Sequence, residues 1–116
     1  MAAGKLDLTI EQGATFEKIL LYKDADGQPI DLTGYNAELQ VRSSKDSTRI
    51  LLELSTDNSK IGISGETGQI TLLILASETS QISWSEAVYD LKLISDSGFS
   101  TRLVEGKVKL SKAVTR

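Results

Sequence analysis

The fold is decided by the stretch from Ala87 to Leu110, which reads AVYDLKLI to Ile94, then SDSG to Gly98, and TRLVEGKVKL from position 101. The first part places apolar or aromatic residues at every second position, the period of a strand with one buried face. The SDSG segment is typical of a turn, in which Gly98 can take a positive φ. The return segment alternates again, with Val104, Gly106, Val108 and Leu110 expected inward and Glu105, Lys107 and Lys109 on a solvated face. The stretch therefore predicts a long antiparallel hairpin.

Alternation of apolar and polar residues recurs along the rest of the chain, in the segments 5–11, 14–23, 35–42, 49–55, 60–64 and 69–76. The pattern slips in 14–23, because Ile19 and Leu21 fall on the face opposite to Phe16 and Leu20. Either both faces of that strand are covered, or a bulge shifts its register. One helical turn is expected at 77–82, with Ser77 as its N-cap, before the crossover from the sixth to the seventh strand.

About seven to eight short strands, separated by turn signals, predict an all-β fold: an antiparallel, immunoglobulin-like β-sandwich. The 116 residues are expected to form one domain, spanning 1–116. The N-terminal residues lack an apolar run, so neither a signal peptide nor a membrane span is expected.

Composition excludes several functions. The net charge is −3 and no long run of Lys or Arg occurs, which disfavours nucleic-acid binding. The chain has no His, so the commonest general base and metal ligand is missing. Ser83 and Ser85 consequently have no histidine to activate them. We expect no catalysis and no cofactor.

The acidic segment Asp24 to Asp31 is the nearest approach to a metal site. Asp24 and Asp26 have the alternate spacing of a calcium loop, but the following ligand position holds Gln28 and no closing Glu is in place. Aspartates also favour turns, since their carboxylates accept hydrogen bonds from nearby backbone N–H groups. The turn interpretation is preferred, and no metal is expected.

Four residues stand out as candidate site residues. Leu73 and Leu75 lie on the second face of a strand whose first face is already apolar, so we expect them to contact a partner. Trp84 either packs over the end of the core or binds a partner or sugar with an exposed ring. Tyr89 follows the helical corner inside a strand, where an immunoglobulin-type sandwich places a tyrosine whose hydroxyl bonds back to the corner. The alternative is a plain core ring.

Three phrases together resemble a known family: DGQPIDLTGYNA at 26–37, QVR at 40–42, and YDLKL at 89–93 followed by RLVEG at 102–106. They are similar to phrases in small tailed-bacteriophage and prophage virion proteins with an immunoglobulin-like sandwich. The N-terminal domains of phage baseplate and receptor-binding proteins carry them too. The resemblance spans about Leu6 to Leu110 and consists of turn and strand phrases.

The resemblance implies a non-enzymatic virion structural protein that docks as an adaptor associated with the tail, baseplate or fibre. Its expected partners are other virion proteins of the tail, baseplate or capsid, and a homo-oligomer is possible. Its expected location is the virion, after assembly in the host cytoplasm. The alternatives are a capsid decoration protein and a surface carbohydrate-binding module that uses Trp84 and Tyr35 as ring platforms.

Overall fold

The structure is a computed structural model and describes residues 4–114. The two ends of the predicted domain, residues 1–3 and 115–116, lie outside this range. Within it the chain forms β1 (Gly4–Lys5), β2 (Leu8–Glu11), β3 (Phe16–Leu21), β4 (Asn36–Arg42), β5 (Leu52–Ser55), β6 (Ile61–Ser64), β7 (Gln69–Ile74), β8 (Glu86–Ile94) and β9 (Ser100–Ser111). A 3-10 turn (Gly65–Thr67) precedes β7, and the helix α1 (Ala76–Thr79) follows it. Neither helical segment has the length and apolarity needed to cross a membrane.

Two sheets face each other, which confirms the predicted β-sandwich. The larger sheet has the strand order β1-β9-β8-β4-β5, with β2 also pairing with β9. The smaller sheet has the order β3-β7-β6. All pairings are antiparallel except those of β1 and β2, which run parallel to β9. The N-terminal segment therefore covers the edge of the larger sheet and leaves the smaller sheet without it.

The core between the sheets is aliphatic, because the inward positions of both sheets carry mainly Leu, Ile and Val. Its most completely buried large side chains come from both sheets and from one connecting loop: Ile10, Leu32, Leu39, Leu54, Ile70, Leu72, Ile74, Leu91 and Leu93. Leu32 belongs to the connection between β3 and β4, and its N–H donates to the Gly65 carbonyl at 2.7 Å. This loop residue thus closes one end of the sandwich.

The predicted hairpin is present as β8 and β9, with one irregularity. Leu91 pairs with Val104, but Lys92 pairs with Arg102, so Leu103 is an additional residue in β9. Such a bulge reverses the facing of the residues on one side of it relative to a regular strand. Arg102 and Glu105, which a regular alternation would place on opposite faces, therefore share the outer face.

Other local expectations need correction. The segment 5–11 is interrupted at Leu6 and Asp7 rather than continuous. The segment 14–23 fits neither predicted alternative. The register of β3 with β7 is regular from Phe16 to Leu21, without a bulge, and Ile19 and Leu21 on its second face stay exposed. The helical turn has Leu75, not Ser77, at its N-cap position. The Glu78 side chain reaches back to the Leu75 N–H at 3.4 Å, so the start of the helix is set by Glu78.

Candidate functional site

The outer face of the larger sheet carries a buried carboxylate, Glu105. Its side chain accepts hydrogen bonds from the ammonium groups of Lys5 and Lys45, the second at 3.3 Å. Arg102 Nη1 lies 3.3 Å from the other carboxylate oxygen. Hydrogen bonds from Lys5 and Lys45 lower the pKa of Glu105 to about 2. The predicted solvated ladder was therefore wrong at Glu105, which is 8% exposed.

Asp90 adds a second negative charge beside Glu105. Asp90 lies directly opposite Glu105 in the ladder of β8 and β9, and like charges in that position repel each other. Arg102 lies close to both carboxylates, with Nε 3.5 Å from Asp90 Oδ2. The bulge at Leu103 is what places this guanidinium on their face. The cluster therefore joins β1, β8, β9 and the loop after β4 through charge pairing.

A cleft of about 360 Å³ opens above this cluster, between the sheet and the loop after β4. The loop is held down by Arg42, whose Nη1 donates to the Ser47 carbonyl at 2.8 Å. A general base works best when its pKa lies near the working pH, and Glu105 titrates far below that range. The geometry supports a structural ion-pair cluster and gives no arrangement suited to proton transfer.

In the acidic segment from Asp24 to Asp31, the carboxylates of Asp24 and Asp31 accept hydrogen bonds from the turns around them. Asp24 Oδ1 accepts from the N–H groups of Asp26 and Gln28 at 2.9 and 3.0 Å. Asp31 Oδ1 accepts from the N–H and hydroxyl of Thr33, and these bonds lower the pKa of Asp31. Across residues 4–114, no group of three or more acidic side chains is arranged to hold a metal ion. These hydrogen bonds support the turn interpretation of Asp24 and Asp31.

Tyr89 lies in the core, 4% exposed, on the inner face of β8. Its hydroxyl donates to the Leu6 carbonyl at 2.6 Å. The predicted bond to the helical corner is therefore wrong, and the ring belongs to the core. Burial, with a smaller contribution from the charge of Asp7, raises the pKa of Tyr89 to about 12. Through this hydrogen bond, Tyr89 links the interruption between β1 and β2 to the core.

The outer face of the smaller sheet presents an apolar surface. Ile19 and Leu21 on β3 are 52% and 56% exposed. Leu73 on β7 is half-buried and pairs with Glu17, which places it diagonally across from Ile19. Leu75, just beyond β7, is 52% exposed. We call Ile19, Leu21 and Leu73 the apolar face. The slipped alternation of 14–23 was the sequence signal for its β3 half.

The edge of β3 beside this face is open. Tyr22 N–H bonds to the Gly68 carbonyl at 2.8 Å, so the even-numbered residues of β3 bond toward β7. The backbone groups of Glu17, Ile19 and Leu21 consequently point away from β7. Among the described residues, no strand pairs with β3 on that side. The smaller sheet thus combines exposed apolar side chains with an unpaired strand edge.

Trp84 is not one of the residues of the apolar face. Trp84 lies on the connection from α1 to β8 in the larger sheet, and its half-buried ring packs against the core. This is the core-packing alternative for Trp84. The ring of Tyr35 also packs against the core, and it lies just before β4, next to the far end of β8. About ten strand residues, or roughly 30 Å, separate the two positions along the sheet, so they cannot serve one sugar.

No protein-family model matches the chain, and no curated protein matches it. The chain is similar to solved structures of voltage-gated sodium channel β subunits. One comes from work on multimeric cell-adhesive interactions of these subunits, at 13% identity and a TM-score of 0.46 over 97% of this chain and 96% of the other. The second is a parallel homodimer of the extracellular domain of the β4 subunit, at 12% identity and a TM-score of 0.45 over 98% and 97%.

Both structures are of sodium channel β subunits and not of virion proteins. The predicted bacteriophage family is therefore corrected. The predicted tail, baseplate or fibre adaptor, the capsid decoration protein, the surface carbohydrate-binding module and the virion location are corrected accordingly. The phrases behind that assignment have local causes. In DLTGY, for example, Asp31 caps a turn, Leu32 fills the core, and Gly34 has a φ of 83°.

Proposed function

We propose that this protein is a non-catalytic binding domain that associates with a second copy of itself through the apolar face of its smaller sheet. The single observation that carries the proposal is that Ile19 and Leu21, each more than half exposed, lie side by side on β3, an edge strand that pairs with β7 on one side and with no strand of residues 4–114 on the other. Isolated exposed apolar residues are ordinary, but neighbouring ones beside an open strand edge mark association surfaces.

The charges on this surface favour a second copy over a strongly charged partner. The outward residues of β3 and its extension are Glu17, Ile19, Leu21 and Lys23, so an acidic and a basic residue flank two apolar ones. A surface that carries its own complementary charges is suited to the self-complementary contact of a two-fold dimer. The acidic and basic ends would meet when one copy is rotated onto the other.

The larger sheet is less suited to association. Its central outer face is occupied by the ion pairs of Glu105, Asp90 and Arg102, and the loop after β4 lies against it. Burying those groups against a partner would remove them from water, which costs free energy unless each remains paired. The smaller sheet would bury aliphatic side chains, which is favourable.

The test is sedimentation velocity over a wide range of protein concentrations. We expect a monomer–dimer equilibrium for the natural sequence. Leu21→Lys should weaken the dimer by about tenfold or more, because each dimer would lose two apolar contacts and gain two charges.

Phe99→Lys is the matched control, since Phe99 is 73% exposed at the tip of the hairpin of β8 and β9. It removes an exposed apolar residue elsewhere and should leave the equilibrium unchanged. A protein that stays monomeric at every concentration, or a dimer that is indifferent to Leu21→Lys, contradicts the proposal.

A further inference from the structure

The open edge of β3 specifies how two copies would join, an inference that rests on the proposed self-association. We propose that β3 pairs with β3 of the second copy in antiparallel fashion, so that the two three-stranded sheets form one continuous six-stranded sheet. In the register we propose, the two-fold axis passes between the two Leu20 residues. Ile19 then lies opposite Leu21 of the second copy, and Glu17 lies opposite Lys23 of the second copy.

Within the described part of the chain, the backbone of β3 has unpaired hydrogen-bonding groups along the edge that this pairing would use. Glu17, Ile19 and Leu21 direct their N–H and C=O groups away from β7, as derived above from the bond between Tyr22 and Gly68. Lys23 has the same parity and continues the edge. The bond from the Asp24 N–H to the Gln28 carbonyl, 2.9 Å, lies on the other side of the chain. In an antiparallel pair, residues that face each other in this way exchange two hydrogen bonds.

The side chains select the register. With the axis at Leu20, each dimer gains two contacts between Ile19 and Leu21 and two ion pairs between Glu17 and Lys23. Moving the axis to Ile19 would place Glu17 against Leu21. Moving it to Lys18 would place Glu17 against Ile19 and Lys18 against its own equivalent. Only the first register matches apolar with apolar and acid with base.

Lys18 disfavours nonspecific strand addition at the open edge of β3. Its position in the ladder belongs to the inward set, yet the side chain is exposed and lines a cleft with Asp7 and Glu11 on the open side of the sandwich. An inward-pointing charge at an edge discourages indiscriminate strand addition. In the proposed register Lys18 lies opposite Tyr22 of the second copy, away from the other lysine.

The two charged residues are available for pairing with a second copy. Glu17 and Lys23 are both exposed, and neither takes part in an ion pair within residues 4–114. Their exchange should therefore report on the dimer contact rather than on the fold of one copy. A thermal melt of each variant verifies that the fold is kept.

The experiment is a charge-reversal cycle measured by sedimentation equilibrium. Glu17→Lys and Lys23→Glu should each weaken the dimer by roughly ten- to thirtyfold, since each creates two like-charge pairs in place of two attractive ones. The double variant should restore the affinity to within about threefold of the natural sequence, because it exchanges the pair without removing it. Lys109→Glu, an exposed reversal on the outer face of the larger sheet, is the control and should have no effect.

Disulfide trapping gives an independent readout, because the chain contains no cysteine. An oxidised mixture of Glu17→Cys and Lys23→Cys proteins should yield a cross-linked dimer, and neither variant alone should do so. Cross-linking of Ile19→Cys with itself would place the axis at Ile19 and overturn the register.

The two proposals fail separately. If the dimer is sensitive to Leu21→Lys but the double charge reversal restores nothing, self-association stands and strand pairing is overturned in favour of stacking of the apolar faces. If no dimer forms, both proposals are wrong.

Discussion

The hydroxyl of Tyr89 donates to the carbonyl of Leu6 across 83 positions of sequence, at 2.6 Å. The bond is possible because the Leu6 carbonyl turns inward over Gly106, the residue that pairs with Tyr89 in the ladder of β8 and β9. The Leu6 N–H donates to the Glu105 carbonyl at 3.0 Å, and Asp7 Oδ1 accepts from the Lys107 N–H at 2.9 Å. The interruption between β1 and β2 thus keeps its hydrogen bonds while sending one carbonyl into the core.

Gly106→Ala should destabilise the protein by about 1–3 kcal/mol, the usual cost of forcing an atom into a well-packed place. A Cβ at Gly106 would overlap the Leu6 carbonyl oxygen and lie 2.7 Å from its carbonyl carbon. Gly62→Ala is the control, since a Cβ at that strand glycine meets no atom within 4 Å. Urea unfolding of both variants measures the difference, and equal stabilities would contradict the close approach of Leu6.

Tyr89→Phe should cost about 1–2 kcal/mol, because the Leu6 carbonyl would lose its partner from the core side. Tyr89→Ala should cost about 3–5 kcal/mol, since it also leaves a cavity where the 4%-exposed ring lies. Chemical denaturation of the two variants separates the hydroxyl from the ring. A Phe variant as stable as the natural protein would show that the hydrogen bond contributes nothing net.

Tyr89 should also make the protein sensitive to alkali. Burial raises the pKa of Tyr89 to about 12 from 10.0, so the folded state favours the neutral phenol. Stability from this group is present below the unfolded pKa and is lost as pH rises from about 10 to 12. The loss should amount to about 2–3 kcal/mol. Denaturant midpoints at pH 9 and pH 11.5 should therefore diverge more for the natural protein than for Tyr89→Phe.

The hairpin, the sandwich and the helical turn could be predicted because they follow from local alternation and turn chemistry. The environment of Glu105 could not, because it depends on one additional residue, Leu103, and on lysines that are 100 and 60 positions away. The partner of Tyr89 was missed for a related reason. Gly106, a glycine inside a strand, was the available sign that another backbone comes close there. For Ile19 and Leu21, the sequence alternation indicated which face of the strand they occupy. It could not show that this face is left uncovered.

Glu105 should account for part of the loss of folding stability at low pH. Hydrogen bonds from Lys5 and Lys45 lower the pKa of Glu105 from 4.5 to about 2. Its contribution is therefore present above pH 4.5 and disappears as pH falls toward 2. Denaturant midpoints between pH 6 and pH 2.5 should fall less for Glu105→Gln than for the natural protein. Glu38→Gln, an exposed carboxylate lining the same cleft, is the control. A Glu105→Gln protein with the natural acid profile would show that the cluster does not stabilise the fold.

Thr79 should behave as a buried polar clamp between α1 and the turn that leads into β3. It is 0% exposed, and its hydroxyl accepts from the Gly13 N–H at 3.1 Å and lies 2.9 Å from the Ala14 carbonyl, to which it can donate. Thr79→Val keeps the shape but leaves these backbone groups without their partner, so we expect a loss of about 1–3 kcal/mol. Thr79→Ser keeps the hydroxyl and should lose less, mainly the packing of one methyl group. Hydrogen exchange should show faster exchange of the Gly13 amide in the Val variant only. If Ser were the more damaging substitution, the methyl group rather than the hydroxyl would be what holds α1 against the turn.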